Sequence, residues 1–336
     1  MKVARNSKIE FLRIISMLMI IAHHYALYGM KMQTSSSGID KYVVWLFYPG
    51  GVVGVGIFFL IAGYFGFQNN NVKIERVIFK TTSYSILGLV LYFVLNLMDI
   101  IKIRLSFEQV FMSLCPIGSS AFWFASVYIL LMLCKPAINH FIDQLSPKKI
   151  ILTLLCGGLI YTILRHINAH YLGIYNGLIF YIIGALAYKY KDYIQKIKGM
   201  YYILFAIMGW GGYVLFSSKG DIGGLIAVVV FGTIAACAIA FLFITGKECE
   251  NRYINKLAEP TLAIYFIHEN PLFRDYIWNG IFKVNTFQRE LDILPIIAVL
   301  TVIAIYNVGA FIEWIKVATL DKVCLKLKAL LGSDVM

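Results

Sequence analysis

The chain has 336 residues, 60% of them hydrophobic and 14% charged, with a net charge of +12 and a mean hydropathy of +0.76. A soluble globular domain of that composition would hold more apolar surface than water tolerates, which leaves an all-α polytopic membrane protein as the class. The positive charge does not gather into a nucleic-acid patch, and no nucleic-acid partner is expected; it recurs in every second connection between apolar blocks.

Windows of about 20 apolar residues predict about ten spanning helices. They run near 10–30, 43–67, 77–98, 121–141, 149–166, 171–189, 200–217, 222–246, 260–277 and 291–315, and the whole of 1–336 reads as a single membrane-embedded domain. Alternate connections hold 19 Lys and Arg residues against 9 in the others. The richer side is cytoplasmic by the positive-inside asymmetry, so both termini are expected inside, in a multi-pass protein of the plasma membrane. No internal repeat is visible, which withholds support from a transporter built of paired repeats.

The first span, IEFLRIISMLMIIAHHYALYGM, follows Lys2, Arg5 and Lys8 much as a secretory signal would. It contains Arg13, however, and ends in His-His-Tyr rather than in small residues, so it reads as a retained helix. Arg13 and His24 are eleven residues apart, which puts them within roughly 20° on one helix face and roughly 16 Å apart along the axis. His23 is rotated about 80° the other way, so the pattern selects His24. An ionisable residue inside a spanning helix normally faces a polar cavity or a partner. Glu10 precedes Arg13 by three residues, a spacing that allows a same-face ion pair, either snorkelling at the helix end or orienting Arg13 toward an anionic ligand.

The second span carries glycines at 50, 51, 54, 56, 63 and 66. It lacks the strand-turn-helix setting of a dinucleotide site, so close helix packing is the better reading. Lys73, Arg76 and Lys80 follow, explained by the positive-inside rule and also able to meet phosphates. Residues 31–42 form a polar outer loop, and 100–120 carry the mixed apolar and charged pattern of an interfacial helix. The fourth span opens with Phe122, Trp123, Phe124 and Tyr128. These fit an aromatic belt, though Trp123 could stack on a sugar ring. The ninth contains His268, Glu269, Asn270 and Pro271, polar residues beside a helix break that suit either a site wall or a kink. Six scattered cysteines without paired spacing suggest packing, and neither a disulfide framework nor a metal site is expected.

Taken together, these segments resemble the acyltransferase 3 family of integral membrane acyltransferases. IEFLRIISMLMIIAHHY is similar to the family's first helix, GGVVGVGIFFLIAGYFGF to its glycine block, FWFASVYILLMLCKPAIN to its W-F block and LAIYFIHENPLFR to its late Y-L-I-H segment. The family's Arg-x10-His motif falls on Arg13 and His24. Two departures stand out. Ala62 replaces the family's serine in the glycine block, and an expected Arg-x-x-Arg appears as Lys73-x-x-Arg76, which loses one bidentate guanidinium.

The resemblance implies transfer of an acyl group, commonly acetyl from cytoplasmic acetyl-CoA, to a hydroxyl of a cell-surface or lipid-linked carbohydrate. Under that reading His24 is the general base, since an imidazole with an ordinary pKa of about 6.5 can take the proton of an attacking hydroxyl. Arg13, with Glu10, Lys73 and Arg76, would hold the acyl-CoA donor, while His268, Asn270 and Trp123 would form the acceptor side or second wall. The partners are then acyl-CoA, the carbohydrate acceptor and membrane lipids. A transporter or flippase of lipid-linked sugars is the competing class, and a sensor relative that lost catalysis is a third.

Overall fold

A computed structural model describes residues 5–30, 44–68, 74–101, 104–146, 148–150, 152–153, 156–160, 172–284 and 294–323. Among these residues the protein is helical, with seven helices long and apolar enough to cross a membrane. They correspond to the first, second, third, fourth, seventh, eighth and tenth expected spans. Helix α1 runs Ser7–His24, α2 Gly50–Gln68, α3 Ile74–Leu97, α4 Phe107–Leu114, α5 Trp123–Gln144 and α6 Leu172–Lys189. Beyond them lie α7 Lys191–Ile194, α8 Gly199–Ser217, α9 Gly220–Ile226, α10 Thr233–Ile244, α11 Arg252–Ala258, α12 Thr261–His268 and α13 Leu294–Ala318. The outer loop 31–42, Lys73 and much of the fifth expected span fall outside the described residues.

The ninth expected span contains the break that Pro271 led the sequence to suggest and is not one continuous helix over 260–277. It is helical over α12, breaks at Glu269–Phe273, and resumes as a π-helical turn at Tyr276–Ile281. Pro271 has no N–H to continue the ladder. Backbone groups freed at such a break must find partners when no water is at hand. Here the Asn270 side chain accepts from the Leu272 N–H at 3.0 Å, and the Asn270 carbonyl accepts from Phe273 and Arg274 at 3.0 and 2.8 Å. The expected interfacial segment is also shorter than its prediction. Among the described residues of that segment the α-helix is confined to α4, held by a reciprocal capping box between Ser106 and Gln109.

The glycine-rich stripe of α2 is a packing surface. Gly63 lies against the Tyr181 carbonyl of α6, and Gly184 of α6 lies against the Leu60 carbonyl of α2; a Cβ at either would collide with backbone. Without a hydrophobic drive between helices in lipid, such close approach supplies the van der Waals contact that joins them. Asn139 of α5 fastens the same junction, donating to the Gly66 carbonyl at 3.1 Å and accepting from the Tyr181 hydroxyl at 3.0 Å. The opposite faces carry large apolar side chains outward, among them Val90, Phe93, Ile203, Ile207, Leu300 and Phe311, as lipid contact requires.

At its start, α1 is tied to the first turn of α11 and the residue that caps it. Asn6 caps it by accepting from the Lys8 N–H at 3.1 Å. The Ser7 hydroxyl donates to the Asn255 side chain at 2.7 Å and accepts from the Asn251 N–H at 2.6 Å. Its other end passes directly into a π-helical turn, Tyr25–Gly29. That turn packs on the one at Tyr276–Ile281, with the Tyr25 and Trp278 rings edge to face at 6.2 Å. The end of α1 is thereby set against the break that follows α12.

Candidate active site

Two helices from opposite ends of the chain meet at His24. Its Nδ1 lies 3.0 Å from Nε2 of His268, across 244 residues of sequence. The same Nδ1 lies 3.3 Å from Oε1 of Glu269, an oxygen with no hydrogen-bond partner among the described residues. His268 is fully buried and its Nδ1 is 2.6 Å from the Ile264 carbonyl, one turn back on α12. A carbonyl only accepts, so that Nδ1 carries the hydrogen. Glu269 sits at the C-terminal end of α12, where the helix break turns its carboxyl toward α1.

Arg274 and Tyr28 close the far side. The guanidinium stands 4.1 Å over the Tyr28 ring, donates to its hydroxyl at 3.1 Å and approaches Oε2 of Glu269 at 3.7 Å. Tyr28 is one turn beyond His24 and its ring centroid lies 5.3 Å from the imidazole. The His24 side chain keeps 12% of its surface exposed, so it is enclosed without being sealed.

The remaining candidates divide. Arg13 makes the ion pair that its spacing allows, to Oε1 of Glu10 at 3.0 Å, and its side chain remains 38% exposed. Arg76 is exposed in the first turns of α3. Asn270 is buried but turns away from His24, stitching the break and pressing on Gly88 of α3. Trp123 packs on Gly173 and connects to the site only in steps, through Phe124 and Tyr265. His23 is a packing residue: its Nδ1 donates to the Tyr48 carbonyl at 2.7 Å, and its ring fills the space where Gly51 has no Cβ.

Sequence reasoning named Glu269 only as one of the polar residues beside the break, without a role, and did not single out Arg274 or Tyr28. Adjacency to His268 was the available signal for Glu269, and the one-turn spacing from His24 for Tyr28. Nothing in the local pattern marks Arg274, which reaches the site only because the chain reverses at Pro271. A cavity of about 320 Å³, lined by Ile15, Leu18, Met19, Ala22, Trp210 and Val302 among others, is predominantly apolar and lies on the other side of α1. Its α1 residues are roughly 120–180° around the helix from His24.

A family model for the acyltransferase domain, acyltransferase 3, matches residues 6–310. The chain belongs to the acyltransferase 3 family. Neither curated proteins nor solved structures give a significant match. The membership and the apolar helices together make this a multi-pass membrane protein of an acyltransferase family. Within it, Nδ1 of His24, Nε2 of His268 and the Glu269 carboxyl converge to within 4.8 Å, a donor set that could either bind a metal ion or orient an imidazole.

Proposed function

We propose that this protein transfers an acyl group, acetyl in the simplest case, from cytoplasmic acyl-CoA to a hydroxyl of a cell-surface or lipid-linked carbohydrate, with His24 as general base. The observation that carries the reading is the meeting of His24 with His268 and Glu269 at one end of a helix whose other end bears the Glu10–Arg13 pair. Imidazole removes the hydroxyl proton as the oxygen attacks the thioester carbonyl; direct transfer needs no acyl-enzyme. Arg13 provides a guanidinium for the donor's phosphates near the cytoplasmic face, and Lys73 and Arg76 add charge on that side. Both termini lie inside in this scheme, about ten segments cross the plasma membrane, and His24 falls beyond the bilayer centre. The pantetheine arm spans the three turns between Arg13 and His24. The acyl group then crosses without a carrier protein.

The test is thiol release from acetyl-CoA by the purified protein, with and without glycan extracted from the host envelope. Glycan-stimulated release that a correctly inserted His24→Ala variant lacks supports acyl transfer. Glycan movement across vesicles without thiol release would instead support the flippase, and normal acetylation by His24→Ala would remove the base from this position.

A further inference from the structure

At the meeting of α1 and α12 a hydrogen-bond chain runs from the Ile264 carbonyl through His268 to His24, and the placement of its hydrogens decides which nitrogen of His24 is free. The Ile264 carbonyl fixes the hydrogen of His268 on Nδ1, which in the neutral ring leaves the lone pair on Nε2. That lone pair faces Nδ1 of His24 at 3.0 Å, and Oε1 of Glu269 stands 3.3 Å from the same atom without a hydrogen bond to it. With the lone pair on Nε2 of His268, the hydrogen between the two rings must sit on Nδ1 of His24. The lone pair of His24 is then on Nε2, the nitrogen turned away from the buried pair.

We infer that His268 is a positioning residue that locks His24 in the tautomer with hydrogen on Nδ1 and the basic lone pair on Nε2, with Glu269 offsetting the positive charge the ring acquires. The inference rests on acyl transfer with His24 as base. In the step, the acceptor O–H proton passes to His24 Nε2 while the oxygen forms a bond to the thioester carbonyl carbon. The C–S bond then breaks, and the CoA thiolate leaves with its electron pair and takes that proton back from Nε2 to become the thiol. Throughout, Nδ1–H stays with His24, so His268 neither gains nor loses a proton. A hydrogen bond also fits the nitrogen spacing better than joint ligation does: two ligands about 2.05 Å from a tetrahedral metal stand about 3.3 Å apart.

Full-length protein in detergent, acetyl-CoA and a host-envelope glycan extract provide the test, read as thiol release. His268→Ala is expected to lower kcat on the order of 100-fold, within the range that positioned proton transfer supplies, with little change in KM for acetyl-CoA. His268→Gln sets an amide oxygen where Nε2 stood and is expected to recover at least roughly tenfold of that loss. A residue that only packs would lose thermal stability in both variants and show no such rescue. Equal activity of His268→Gln and His268→Ala at wild-type melting temperature overturns the inference, as does wild-type kcat in His268→Ala. Chelator-sensitive turnover restored by zinc also overturns it, in favour of the metal. If the wild type itself releases no thiol, the acyl-transfer reading falls first; if His24→Ala is inactive and the His268 variants are unaffected, only the positioning role falls.

Discussion

Replacing Glu269 by Gln removes one charge beside His24 and keeps side-chain volume, while one acceptor oxygen becomes an NH2 donor. At the observed 3.3 Å, a carboxylate and an imidazolium attract by about 5 kcal/mol at an effective dielectric of about 20. Arg274, 3.7 Å from the other carboxylate oxygen, draws on the same charge. The net loss should therefore fall well below that attraction, at about 1.5–3 kcal/mol, the scale of an interaction with one charged group. At about 1.4 kcal/mol per factor of ten, kcat should drop by about 10- to 100-fold. The effect belongs to the transition state, where the imidazolium forms, so KM for acetyl-CoA should change by no more than about twofold. Initial rates of thiol release at saturating acetyl-CoA and fixed glycan read this directly. A kcat within about twofold of wild type, in a preparation where His24→Ala is inactive, would refute a role for Glu269 in charge stabilisation. A raised KM with unchanged kcat would refute it too, by placing Glu269 in ground-state binding.

Two further predictions concern ion pairs away from His24. Arg13→Gln should raise KM for acetyl-CoA about tenfold or more, the scale of one charged hydrogen bond to phosphate, with Arg13→Lys intermediate because it keeps the charge and loses the fork; unchanged KM in both would remove Arg13 from donor binding. Glu313, buried on α13, accepts from both Lys80 and Tyr84 of α3, and Lys316 sits against the Tyr84 ring at 5.2 Å while pairing with Asp321 at 2.7 Å. Glu313→Ala should cost about 3 kcal/mol by stranding Lys80, visible as a lowered melting temperature in detergent, and Lys80→Met with Glu313→Leu should recover most of it. A double variant no more stable than Glu313→Ala would show that the pair is not what joins α3 to α13.

Several parts of this protein were legible from spacing alone because the responsible contacts are local. The Glu10–Arg13 pair is an i, i+3 contact, and the close packing of α2 follows from residues too small to hold helices apart. The ninth span was legible only in part. Its apolar run counts as a crossing segment, but hydropathy does not register that Asn270 can take over a backbone hydrogen bond. Once it does, the chain stops, turns and brings Glu269 and Arg274 to α1. Trp123 and Asn270 were chosen for chemical type, yet a stacking ring and a polar amide serve a glycine contact and a turn equally well. Only tertiary placement separates those uses.

His24 shows most clearly where sequence reasoning reaches its limit. Helical register with Arg13 distinguishes it from His23, because both residues lie on one element whose geometry is known in advance. Register says nothing about which ring nitrogen is basic. That depends on a carbonyl at Ile264 and a lone pair on His268, with the Glu269 carboxyl close by, all on α12 or at its C-terminal cap some 240 residues away. The π-helical turn after His24 contributes to this arrangement. An α-helix continuing through Tyr25–Gly29 would rotate Tyr28 relative to the turn it now makes, away from the contact that holds Arg274 beside Glu269. The extra residue per turn thus belongs to the site as much as the imidazole does: it aligns the end of α1 with the broken helix that completes it.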